Sequence, residues 1–202
     1  MIVRKDQPQV DRTSEEETER YGAYETLRYS DAGGLTQFGA YVQTLEPGAG
    51  SSERHWHEEE DEFLYVVSGE ATVIEDDGAH TLRPGDAACW PAGAANAHQV
   101  VNRSDAPCTY LIFGTRMAHE VIHYPDVEKV GYIEGETWRL HRTDDGSLIK
   151  GGKPSRSVPL RGGGLRLIGC HSTNYYPTPD AAALPLRQPG EGFEEHGPRW
   201  RC

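Results

Sequence analysis

Between residues 35 and 115 the chain is cut at short intervals by turn sequences: Glu46-Pro47-Gly48-Ala49-Gly50, Ser68-Gly69-Glu70, Asp76-Asp77-Gly78 and Arg83-Pro84-Gly85-Asp86. The segments left between them carry alternating or β-branched residues, which is the pattern of strands. Strands are expected over Thr36–Leu45, Glu62–Val67, Ala71–Glu75, Ala79–Leu82, Ala87–Trp90, His98–Asn102 and Thr109–Gly114, with Ala71–Glu75 and Ala79–Leu82 forming a hairpin. Many short antiparallel strands joined by regular turns bury their apolar faces as a sandwich or barrel, so an all-β fold follows. Composition agrees: Gly and Pro together supply 36 of 202 residues, and hydrophobic residues only 36%. Two full domains are not expected at this length.

Charge is distributed unevenly. Residues 1–149 hold 12 basic and 28 acidic residues, net −16, whereas residues 150–202 hold 8 basic and 4 acidic, net +4. The overall −12 repels phosphate backbones and anionic bilayers, so neither nucleic acid nor membrane is an expected partner. The last 53 residues contain 9 Gly and 7 Pro, which cannot sustain a helix or a central strand. Three segments are therefore expected: an N-terminal arm (1–34) with one surface helical turn at Ser14–Arg20, a β body (35–149), and an irregular Gly/Pro-rich extension (150–202) in which only Leu165–Ile168 is strand-like. No apolar run reaches bilayer-spanning length, and the first residues lack the apolar stretch of a signal peptide. Cys89, Cys108, Cys170 and Cys202 show no disulfide-framework spacing, so reduced thiols and a cytoplasmic location are expected, with Cys89 and Cys108 as small core residues.

The chemistry lies in the histidines. His55 and His57 are two apart, so on a strand both imidazoles face one side. Glu62 opens the next strand, and a turn over Glu58–Asp61 returns its carboxylate toward the same space. His98, on a later strand, supplies a third imidazole. Three imidazoles and a carboxylate suit one divalent transition metal (Fe, Mn, Ni, Cu or Zn) rather than Ca or Mg, which prefer all-oxygen shells. On the Glu62 strand, Leu64 and Val66 share the inward face and Tyr65 points away. That apolar lining suits a small, partly hydrophobic substrate. No residue outside this set stands out as a general acid or base.

These residues fall in two motifs, Gly50-x4-His55-x-His57-x4-Glu62-x6-Gly69 and Gly85-x5-Pro91-x-Gly93-x4-His98-x3-Asn102. They resemble the two motifs of the cupin superfamily, over roughly residues 2–150. The interval between Gly93 and His98 is two residues longer than the usual pattern, an insertion for the loop to absorb. The resemblance implies a double-stranded β-helix (jelly-roll) barrel whose metal ligands are His55, His57, Glu62 and His98. Counting seven back from Gly69 selects Glu62 over Asp61. Segments such as Arg54-His55-Trp56-His57 and His123-Tyr124-Pro125-Asp126 are similar to those of small bacterial cupins. Oxygenase, isomerase and decarboxylase chemistry on a small organic or sugar-like substrate all fit such a site, and so does a non-catalytic ligand-binding or sensing module. Homodimers are common for small barrels of this resemblance, because open sheet edges are otherwise a liability.

Other features read more simply. Glu58–Asp61 is expected to be a solvated acidic turn, and His80, His119, His123 and His141 to have surface or structural roles. Cys170, His171, His196 and Cys202 match no zinc-finger spacing. Gly69, Gly85 and Gly93 are expected at turns with positive φ, and Pro91 at a strand end.

Overall fold

The computed structural model describes residues 1–153. The chain opens with β1 (Gln9–Arg12), helix α1 (Glu15–Tyr21), β2 (Tyr24–Arg28) and the short helix α2 (Tyr29–Ala32). The body follows as β3 (Phe38–Leu45), β4 (Trp56–His57), β5 (Glu62–Ser68), β6 (Ala71–Glu75), β7 (Gly78–Leu82), β8 (Ala87–Trp90), β9 (Gln99–Val101) and β10 (Cys108–Thr115). Four more strands end it, β11 (His119–Tyr124), β12 (Lys129–Glu134), β13 (Thr137–Arg142) and β14 (Leu148–Gly152), with a single 3-10 turn at Pro125–Val127. The strand-like patch expected at Leu165–Ile168, and Cys170, His171, His196 and Cys202, lie outside the described residues.

Local sequence explains several of these boundaries. Ser14 caps α1 in a reciprocal capping box with Glu17, and three glutamates occupy the first helical turn, where they favour the positive end of the helix dipole. Gly69, directly after β5, has φ 74°, and a Cβ there would sit 2.4 Å from the Pro107 carbonyl oxygen. Only glycine fits that position.

The strands form three antiparallel sheets, ordered β1-β2-β3-β10-β5-β8, β14-β13-β12-β11-β4 and β7-β6-β9. β1 and β2, from the first 34 residues, extend the large sheet beyond β3. The first and third sheets share one core in which Leu45, Leu64, Val66, Ala71, Cys108 and Tyr110 are completely buried. The second sheet adds a smaller cluster around Ile122, Tyr124 and Ile133. Among the described residues the hydrogen-bonded ladders do not close into one ring. The 50–57 segment joins the sheets instead: Gly50 and His55 make isolated bridges to Val101 and His98, and Trp56 and His57 pair with β11.

Alternation along β5 is strict. Glu62, Leu64 and Val66 are buried while Phe63 and Tyr65 are exposed, as its period of two requires. Cys108 is a core residue, but Cys89 is exposed. The reason is phase: Trp90 takes the inward position at the end of β8 and turns its neighbour Cys89 outward.

Candidate metal centre

Backbone pairing sets the site. His55 and His98 exchange both amide hydrogen bonds, His55 N–H to His98 O at 3.0 Å and His98 N–H to His55 O at 2.8 Å, so their side chains start from adjacent points. The longer loop before His98 is absorbed by turns at Pro91–Ala94 and Ala94–Asn96, and the Asn96 side chain accepts the Asp76 N–H at 3.1 Å. On β5, Glu62 lies opposite Trp90 of β8 and Gly114 of β10. Arg54, next to His55, makes two hydrogen bonds to Asp126 at 2.8 and 2.9 Å and a further ion pair with Asp76, bracing the segment between two hairpins.

The four expected ligands are all at most 5% exposed. His55, Glu62 and His98 each present a ligand atom within 4.8 Å of the others. His57 stands beside them, with its Nε2 3.9 Å from Glu62 Oε2 and its ring centroid 5.1 Å from that of His55. Its closest-knit group, however, is with Glu60 and Glu120, on its other side.

Each ring has its own support. His55 Nδ1 faces the Glu53 carbonyl at 2.9 Å; a carbonyl only accepts, so Nδ1 carries the proton and Nε2 the lone pair. His98 lies flat on Trp90, and its Nε2 donates to Glu62 Oε2 at 2.7 Å. Burial alone would raise the Glu62 carboxyl; that hydrogen bond and the neighbouring imidazoles outweigh it and bring the group down to about 2.

The donor set fits a transition metal on an observation internal to the site. His57 Nε2, Glu62 Oε1 and His98 Nδ1 are buried without hydrogen-bond partners. Leaving such a group unsatisfied costs about 1–3 kcal/mol, and so many together mark a place built for something besides protein. A cation held by His57 Nε2 and Glu62 would satisfy two of these atoms, and at His98 Nε2 it would take the place of the proton shared with Glu62.

Asp61 is exposed and turned away: its side chain accepts the Ala92 N–H at 2.8 Å, leaving Glu62 as the carboxylate that faces the histidines. His80 pairs with Asp77 at the surface, His123 stacks on Trp56 and hydrogen-bonds Glu58, and His141 donates to the Gly146 carbonyl. The 58–61 turn is not wholly solvated, since Glu60 is only 2% exposed and accepts the Met117 N–H at 3.0 Å. That correction has a simple cause: the turn folds back under β11, so one of its four acids must point inward. Glu120 and Trp90 were not foreseen as parts of the site. For Glu120 a signal existed, because it stands at the inward phase of β11 with Ile122 and Tyr124.

Fold and site together define an all-β protein carrying a buried histidine–carboxylate cluster where strands of different sheets meet. The family model of the cupin domain matches residues 41–114. The crystal structure of a sugar phosphate isomerase from a cupin superfamily, from Silicibacter pomeroyi, is 38% identical, with 72% of this chain and 94% of that one covered and a TM-score of 0.67. A second structure, of a protein from Acidithiobacillus ferrooxidans provisionally described as a sugar phosphate isomerase, is 30% identical over 63% of this chain and 81% of that one, with a TM-score of 0.58. No curated protein matches. The chain belongs to the cupin superfamily. Among the described residues no helix is long and apolar enough to cross a membrane.

Proposed function

We propose that this cupin is a metal-dependent isomerase of small phosphorylated sugars, its cation held by His55, His57, Glu62 and His98. The observation that carries the metal reading is the set of buried, unsatisfied ligand atoms on His57 and Glu62. The substrate class is supported by the descriptions of the two similar structures.

Interconverting an aldose and a ketose moves a proton between adjacent carbons and between their oxygens. A bound divalent cation supplies the Lewis acid that polarises those oxygens. The chain's own residues do the positioning: the Glu53 carbonyl fixes the His55 tautomer, Trp90 fixes the plane of His98, and Glu62 stays ionised. Leu64 and Val66, on the same face of β5 as Glu62, keep bulk water from beneath the site. The same reading assigns double-stranded β-helix topology to residues 35–149, with 1–34 as an arm and 150–202 as an extension, and a homodimer paired through open sheet edges.

The test is turnover. Protein purified without chelator is incubated with a panel of aldose and ketose phosphates, and interconversion is followed by NMR. Isomer formation that chelator abolishes and one added metal restores supports the proposal. Tight binding without turnover would make the protein a ligand-binding or sensing module, while oxygen uptake or carbon dioxide release would move it to the oxygenase or decarboxylase chemistries.

A further inference from the structure

His57 is the one ligand candidate whose two ring nitrogens both lack a hydrogen-bond partner among the described residues, although its ring is buried. It is flanked by two carboxylates. Nε2 faces Glu62 Oε2 at 3.9 Å, and Nδ1 faces Glu120 Oε1 at 3.8 Å.

Glu120 is an unusual residue for its place. Its side chain has no solvent exposure, and it stands at an apolar phase of β11. Burying a carboxylate there is costly unless it is well held. It is held by backbone: Oε1 accepts the N–H groups of Glu58 at 2.9 Å and Val121 at 3.0 Å, and the Glu59 N–H lies 3.2–3.3 Å from both oxygens. Those bonds fix a negative charge beside Nδ1, whereas on the other side Glu62 Oε2 already accepts the His98 Nε2–H at 2.7 Å. At 3.8 Å in a poorly solvated site, the Glu120 charge favours a proton on the facing nitrogen.

We propose that Glu120 is a positioning residue: it keeps the His57 proton on Nδ1 and so turns the lone pair of Nε2 toward His55, Glu62 and His98. The tautomer is a property of the chain itself. Its consequence for metal affinity rests on the function proposed above. Carboxylates that orient ligand histidines from behind are worth about 10–100-fold in metal affinity. The neighbouring Glu60 offers the competing arrangement, since its carboxylate, that of Glu120 and a ring nitrogen of His57 lie within 4.8 Å of one another and would form a second cation site.

The experiment uses the full chain, its Glu120→Gln variant and zinc alone as probe. Glutamine keeps an oxygen for the backbone N–H groups and removes the charge. Zinc affinity and stoichiometry are measured by titration, metal-free melting temperature by calorimetry, and the His57 tautomer by nitrogen-15 NMR of histidine-labelled protein, assigned by its loss in His57→Gln. The expected result is one zinc per chain in both proteins, an affinity about 10–100-fold weaker in Glu120→Gln, a metal-free melting temperature within a few degrees of wild type, and an Nδ1–H on His57 in the wild type only. Unchanged zinc affinity, zinc on Nδ1, or a second zinc lost with Glu120 would each overturn the proposal. If the wild type takes up no zinc, the proposed function fails separately. The tautomer in the metal-free proteins then decides: Nδ1–H in wild type replaced by Nε2–H in Glu120→Gln upholds it, and the same tautomer in both overturns it.

Discussion

The indole of Trp90 lies flat on the imidazole of His98, their centroids 3.8 Å apart and their planes 10° from parallel. The indole is itself pinned, since its Nε1–H donates to Glu75 Oε1 at 2.6 Å. A cation bound at His98 would therefore sit within van der Waals reach of a fluorophore. Titration with cobalt should quench the intrinsic fluorescence, and Trp90→Phe should remove most of that quenching while retaining about one equivalent of metal by elemental analysis. Undiminished quenching in Trp90→Phe, or loss of it in Trp138→Phe instead, would contradict this arrangement.

Two pH windows follow from the site. In the metal-free chain the neighbouring imidazoles hold the Glu62 carboxyl down at about 2 when folded, below its ordinary 4.5. Below that value the unfolded chain takes up the proton first, so the contribution of Glu62 is complete above about pH 4.5 and is lost as pH falls toward 2. Glu62→Gln should flatten the fall in melting temperature over that range. In the metal-loaded protein protons compete with the cation for imidazole, whose ordinary pKa is about 6.5, so metal-dependent stabilisation should disappear between about pH 7 and 5. Melting temperature against pH, with and without chelator, reads both; parallel curves would mean that the histidines do not bind the metal.

Thiol reactivity should separate along the phase of the strands. Cys89 is exposed, whereas Cys108 is buried and its thiol is pushed up to about 11 by burial. Iodoacetamide at pH 8 should alkylate Cys89 within minutes and leave Cys108 unmodified in the folded protein, because the thiolate is the nucleophile. Mass spectrometry of the digested peptides checks it, and equal labelling of the two would contradict the placement of β8 and β10.

Gly69 and Gly48 both have positive φ, 74° and 82°, yet a Cβ on Gly69 would meet Pro107 O at 2.4 Å while one on Gly48 meets nothing within 4 Å. Gly48→Ala should cost about 1 kcal/mol from backbone strain alone, and Gly69→Ala clearly more because the β5–β10 contact must also open. Chemical denaturation measures the difference; equal losses would contradict the close approach at Gly69.

The sequence was most informative where one physical period governs. Alternation placed Glu62, Leu64 and Val66 inward and Tyr65 outward, and the i, i+2 spacing placed His55 and His57 near one space, because a strand's side-chain period leaves no other choice. Turn chemistry located the β6–β7 hairpin to within one residue. What escaped depends on partners distant in sequence. β1 and β2 are short, and only the pairing of β2 along β3 and of β1 along β2 makes them strands of the large sheet. Glu120 shares the inward phase of β11 with Ile122 and Tyr124, but the Glu58 N–H that holds its carboxylate is 62 residues away, so its partners are invisible until β11 meets β4. Cys89 reads as core in the sequence because its neighbours are apolar, whereas the inward phase of β8 belongs to Trp90.

Elemental analysis of protein purified without chelator, compared with the His55→Ala/His57→Ala double variant, bears most directly on the metal centre. The wild type should carry about one equivalent of a single transition metal per chain, and the double variant, still folded by circular dichroism, should carry none. Full metal content in the folded double variant would contradict the assignment of the site.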